Sequence, residues 1–325
     1  MQLRLHVFTS FLSIVAMAGL AHAQLTAPTI AKRLGYPADA KLLIIHADDV
    51  GMSHSVNIAT FAALEKGWIT SASIMVPCPW FKEAADFARL HPEMDLGLHL
   101  TLTSEWPKYR WEPVDDQFGT LLDKKGYLYR GERAMAAHAA PEEAAQELRA
   151  QIEMARAAGV HFTHFDSHMG TVFDSPQLFQ AYQDLAREYH VPSLIAAHGS
   201  PHMRRGSEAD PDMLLIDRTL QLKPGVPHRW WLKAYKRMLA PLGPGVYELI
   251  VHLGYDDPEL RQITSHHSNW GACWRQRDLE VISNPEFQKF LREQGFVLVR
   301  WKDLARATMP TQQQENRAAI PALQF

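Results

Sequence analysis

The stretch Leu42-Leu-Ile-Ile-His-Ala-Asp-Asp-Val-Gly51 constrains the fold more than any other part of the chain. Four apolar, mostly branched residues predict a buried strand, and the run stops at two adjacent carboxylates and a glycine. Ser53 fits a helix cap, and the apolar-periodic segment it opens closes at Gly67. Strand, Asp48-Asp49 and helix in that order put two carboxylates at the carboxyl end of a parallel strand, where α/β sheets and barrels keep their chemistry. Taken alone, such a pair is more often a helix cap beside a carboxylate satisfied by backbone amides. The residues further along overturn that plain reading.

Strand and helix signals then alternate. Strands are predicted over residues 69–76, 95–102, 161–168, 194–198, 246–253 and 296–301, and helices over 80–90, 141–158, 177–189 and 285–293. Residues 104–138 read as a loop rich in Trp, Tyr and Gly, and 200–236 as irregular. Repeated units of this length point to a parallel α/β sheet, and this many in one chain favours a TIM-like (β/α) barrel. No linker divides it, so a single domain is expected over residues 41–305. Residues 24–40 are expected to be a linker and 306–325 a loosely held tail.

Arg4 precedes an apolar run to Leu20, and Ala21-His22-Ala23 fits a cleavage site, so residues 1–23 read as a signal peptide. The mature protein is then exported, periplasmic or secreted, with no stable membrane insertion after cleavage. A formal charge of −3 argues against a nucleic-acid partner. Two cysteines, Cys78 and Cys273, make no disulfide framework, and the sequence leaves their pairing open. A homodimer is a candidate assembly. The 17 histidines are the unusual count, and they raise the question of which stand at strand ends.

Three further strands end in metal-binding or proton-transfer groups. In Gly97-Leu-His99-Leu-Thr101, alternation puts Gly97, His99 and Thr101 on one face. In Thr163-His-Phe-Asp-Ser-His168 it aligns His164, Asp166 and His168. His164 and His168 stand about 13 Å apart along an extended strand, too far for both to bind one ion. His168 is therefore the expected ligand, Asp166 a partner behind the ligands, and His164 structural. In Tyr247-Glu248-Leu-Ile-Val-His252, Glu248, Ile250 and His252 share a face. On parallel strands these groups meet at one end of the barrel. One carboxylate and two imidazoles make an incomplete metal shell, leaving an Asp to accept a proton and a His to donate one.

The ordered set His46-Ala-Asp-Asp-Val-Gly51, Gly97-Leu-His-Leu-Thr-Leu-Thr103, Thr163-His-Phe-Asp-Ser-His168 and Glu248–His252 resembles the motifs of the YdjC-like carbohydrate deacetylases. That family includes chitooligosaccharide and hopanoid-sugar deacetylases. The resemblance covers roughly residues 41–304. It implies a deformed (β/α) barrel, one divalent metal ion and removal of an N-acetyl group from an amino sugar or oligosaccharide. By position it implies Asp49, His99 and His168 as metal ligands, Asp48 as catalytic base, His252 as acid and Arg275 near the site. Zinc or magnesium is expected, with nickel or cobalt also compatible with Asp/His/His. The chain departs from many members in carrying Met169-Gly170-Thr171 where further histidines follow the Asp-Ser-His.

Trp106 and Trp111, in the loop after His99, and Trp270 are candidate sugar-stacking residues; Tyr109, Trp230, Trp231 and Trp274 lie nearby in sequence. Any single Trp is more often loop packing. Two other classes share the ingredients: a metallophosphoesterase, separable by its second metal ion, and an exported carbohydrate-binding protein without turnover.

Overall fold

The computed structural model of the chain describes residues 26–115, 117, 119–198, 209, 213–267 and 269–308. The expected signal peptide and the tail beyond Thr308 lie outside the described residues. In chain order the elements begin α1 (Ala27–Arg33), β1 (Lys41–Val50), α2 (His54–Glu65), β2 (Ser71–Ile74), α3 (Phe81–Leu90) and β3 (Leu96–Leu100). Next come α4 (Glu132–His138), α5 (Pro141–Ala157), β4 (Phe165–Ser167), α6 (Pro176–Tyr189), β5 (Ala196–His198) and β6 (Ile216–Gln221). The order ends α7 (Trp231–Leu239), β7 (Gly245–His252), α8 (Pro258–Ile263), α9 (Ala272–Ile282), α10 (Pro285–Glu293), β8 (Phe296–Leu298) and α11 (Trp301–Thr308).

The strands run parallel in the order β4-β3-β2-β1-β7-β6-β5, with β8 attached to the start of β1. The edges meet just before β5. Phe165 bridges Ser193, its N–H donates to Pro192 O at 3.0 Å, and Leu194 N–H donates to Phe165 O at 2.8 Å. Those bonds curl the sheet into a deformed TIM-like barrel in one domain.

Period-2 alternation explains the layers. Along β1, Leu43, Ile45 and Ala47 face outward into the large core between sheet and helices. Leu42 and Ile44 join a second, inner core with Ile30, Val246, Ile250 and Trp301. The inward-facing residues thus change from apolar at the strand starts to His46 and Asp48 at the strand ends. An apolar floor supports a polar chamber.

That floor corrects the reading of residues 24–40 as a linker. They contain α1, whose Ile30 and Ala31 are buried against the inner core, closing the amino end of the barrel. Seven residues are too few to show a helical period in sequence. Residues 306–308, expected in the tail, complete α11 and bury Ala307. The strand predicted to Trp301 stops at Leu298, because the Asp95 carboxylate accepts from Trp301 N–H at 2.7 Å and Lys302 N–H at 3.2 Å. A helix start capped from β3's approach is invisible locally. Residues 104–138 include α4, and 200–236 include β6 and the start of α7. Cys78 is buried, Cys273 exposed, and both are free. Among the described residues no helix is long and apolar enough to cross a membrane.

Candidate metal centre

Asp48 points up the inside of the barrel, in register with His252 on β7. Strict alternation would turn Asp49 outward. Instead Asp49 takes a left-handed φ of 70°, and the β1–β2 register slips between Ala47 and Val50. Aspartate tolerates that region better than most residues. Gly51 completes the turn at φ 96°, where an added Cβ would lie 2.9 Å from Met75 O. Both carboxylates therefore face the same cavity.

Asp49 Oδ1 stands 3.5 Å from His99 Nε2 and 3.3 Å from His168 Nδ1. Tetrahedral donors bonded at about 2.0–2.1 Å stand about 3.3 Å apart. Asp49 Oδ1 is also buried without a hydrogen-bond partner, which fits an acceptor awaiting a cation. The three donors suit one divalent ion with positions left open. His168 reaches the set because β4 ends at Ser167 and a 3-10 turn begins, with Met169 and Gly170 at φ 54° and 69°. His164 stays behind. Its ring stacks on Trp301 at 5.0 Å and fills the place of the missing Gly97 side chain, where a Cβ would lie 2.5 Å from it.

Each candidate ligand is held by a second buried or half-buried group. Asp166 Oδ1 accepts from His99 Nδ1 at 2.8 Å, aiming Nε2 at Asp49. The other Asp166 oxygen is 3.0 Å from His46 Nε2 and accepts from Ser73 Oγ at 2.8 Å. Arg275 Nη2 donates to Asp49 Oδ2 at 2.5 Å and Nε to Trp270 O at 2.7 Å. His168 Nε2 is 2.9 Å from Glu105 Oε2. Behind His252, Asp278 accepts from its backbone N–H, from Tyr235 and from the indoles of Trp231 and Trp274. Those two tryptophans are structural.

The electrostatics separate the two neighbouring carboxylates. Burial lifts the Asp48 pKa to about 6, against the pull of His99. Burial also works to raise Asp49, but the Arg275 guanidinium, with His168 and His99, holds it well below the usual carboxylate range. Burial opposes the charged form of His168, yet Glu105 and Asp49 outweigh it and lift its pKa to about 9. Burial depresses His252 to about 3, with Arg275 adding to the effect, so its imidazole is neutral at rest. Asp48 and Asp49 Oδ2 lie 3.8 and 4.0 Å from His252 Nε2.

The centre opens into a cavity of about 680 Å³ walled by Trp106, Trp270 and Met169, with Arg130 and Gln221 at its polar margin. Trp111 is not in that wall. It is buried behind His168, rings 6.1 Å apart, with its indole N–H given to Thr103 O. Glu105, His46, Ser73 and Asp278 were missed in the sequence. Glu105 has a faint signal, two residues beyond the Gly97–Thr103 motif; Asp278 lies one turn beyond Arg275 on the buried face of α9.

A parallel barrel with an Asp/His/His cluster at the carboxyl ends of its strands defines the class of protein. The family model described as YdjC-like protein matches residues 42–293, and the chain belongs to that family. A carbohydrate deacetylase of Thermus thermophilus is 32% identical over 85% of this chain and 98% of its own length. One of Brevibacillus brevis is 30% identical over 81% of this chain and 99% of its own. A solved structure from Enterococcus faecalis, provisionally described as a cellobiose-phosphate cleavage protein, is 26% identical with a TM-score of 0.69. It covers 82% of this chain and 99% of its own.

Proposed function

We propose that this chain is a metal-dependent carbohydrate deacetylase that hydrolyses the N-acetyl group of an amino sugar or oligosaccharide. The observation that carries the reading is the Asp49/His99/His168 cluster with a second carboxylate, Asp48, beside it in an aromatic-walled cavity. Homologues called carbohydrate deacetylases over nearly their full lengths support it.

A divalent ion held by Asp49, His99 and His168 would supply a Lewis acid and an acidified water. Asp48, with its pKa near 6, is charged at neutral pH yet basic enough to accept a proton from attacking water. Burial favours the neutral form of His252, so a proton it gives to the leaving amine has to reach it during turnover. Asp48 holds the proton it has accepted in preference to His252, whose Nε2 lies 3.8 Å away, and the departing amine, more basic than either, draws that proton off as acetate forms, with His252 as the relay between them. Arg275 keeps Asp49 ionised. Trp270, half-buried in the cavity wall, offers an apolar face to a sugar ring, whereas Trp106 is buried and set edge-to-face on His267. With residues 1–23 read as a signal peptide, the reaction would lie outside the cytoplasm, which favours envelope or scavenged glycans as substrates.

The test is acetate release from N-acetylated amino sugars of increasing length, by native and metal-stripped protein, alongside metal analysis. Metal-restored acetate release at one ion per chain supports the reading. Two ions per chain with phosphate-ester turnover instead would replace it with the metallophosphoesterase, and no bound metal would leave the binding protein.

A further inference from the structure

Histidine ligands need a fixed tautomer, and the two at this centre obtain theirs from different parts of the molecule. The acceptor behind His99 is Asp166, on the barrel wall and itself held by Ser73. The acceptor behind His168 is Glu105, on the connection leaving β3. That connection also supplies Trp106 to the cavity wall.

We propose that Glu105 is a positioning residue that fixes His168 for metal binding, so that the centre's metal affinity depends on the loop that walls the substrate cavity. Glu105 Oε2 accepts from Nε2–H at 2.9 Å, which assigns Nδ1, 3.3 Å from Asp49 Oδ1, as the nitrogen that gives up its proton to a metal ion. The backbone that carries this carboxylate is itself constrained. Its own carbonyl accepts from Arg130 Nε and Nη2 at 3.2 and 3.1 Å. The preceding Ser104 donates its N–H to Tyr129 O at 2.8 Å and accepts from Trp111 N–H at 2.9 Å. Glu105 is thus pinned by the far end of the same loop, residues 129 and 130. Without it, the carboxylate against the His168 ring is Asp49, 3.3 Å from Nδ1, which would hold the proton on the nitrogen the metal needs. Partners behind metal-binding histidines typically contribute 10–100-fold in metal affinity.

This inference rests on the metal site proposed above, and the experiment separates the two. Cobalt(II) binding to the apo protein is measured by chelator competition and by its visible absorption, for the native chain, Glu105→Ala and Glu105→Gln. The expected result is about 10–100-fold weaker binding with an altered spectrum for Glu105→Ala. Glu105→Gln, whose amide oxygen accepts the same N–H, should recover most of the affinity, and apo melting temperatures should match. Native protein that takes up no cobalt removes the metal site itself. Native binding with an equal affinity and spectrum in Glu105→Ala overturns the role of Glu105. Glu105→Met, which keeps the side chain's length but not its acceptor, carries the comparison if Glu105→Ala does not fold.

Discussion

Asp48 and His252 face each other across the β1–β7 ladder, with Asp48 Oδ2 3.8 Å from His252 Nε2. Burial pushes both toward their neutral forms, so Asp48 is a stronger base than a surface aspartate and His252 a weaker one than a surface histidine. A proton taken up by this pair therefore rests on Asp48 in preference to His252.

Asp48→Asn should therefore lower kcat by about 10²–10⁴-fold while metal content stays near that of the native chain. Acetate release and metal analysis on one preparation check it. Loss of the metal together with activity would move Asp48 into the ligand set.

The same burial sets an acid limb for the reaction. The base works only when ionised, so kcat/KM should fall as pH drops through about 6, the raised pKa of Asp48. A pH–rate profile on the apo-then-reloaded enzyme measures it; a limb near 4 would show that Asp48 is not desolvated in the working enzyme.

Asp166 fixes His99 as Glu105 fixes His168, but from inside the barrel. Asp166→Ala should weaken metal binding by about 10–100-fold. Calorimetric titration of apo protein with zinc reads the change directly, and unaltered binding would show that the Ser73 and His46 contacts do not transmit to the ligand.

Gly97→Ala should destabilise the fold by about 1–3 kcal/mol, because the new methyl meets the His164 ring at 2.5 Å and that ring is already stacked on Trp301. Thermal melts of the apo proteins test it. The double variant Gly97→Ala/His164→Ala should not show the same clash.

Glu248 gives the stability of the barrel a pH dependence. Burial raises its pKa from 4.5 to about 8, although His46 pulls the other way. The folded state thus holds the Glu248 proton more tightly than the unfolded state. That contribution is whole below about pH 4.5 and is lost as pH rises to 8. Glu248→Gln should flatten this fall, seen as a smaller drop in urea midpoint between pH 5 and 8 than in the native chain.

Local sequence determined the parts governed by nearest-neighbour physics. Ser53 as the α2 cap, residues 141–157 as α5 and the bounds of α10 follow from capping residues and helical period, and β1 from its apolar run. The strand ends that carry Asp48, Asp49, His99, His168 and His252 were legible too, because each apolar run stops in a side chain that no core needs. Tertiary structure alone decided how these groups work. A left-handed backbone at Asp49 brings two consecutive carboxylates to one cavity, against the alternation that sequence implies. Trp106 lines that cavity while Trp111, five residues on, packs behind His168. Glu105, Asp166, Asp278 and Asp95 find their partners across closures of the barrel, at 63, 67, 26 and 206 residues' separation. Hydrogen bonds between groups that far apart leave no periodic trace in the chain, since they exist only once the sheet has curled and brought its strand ends together.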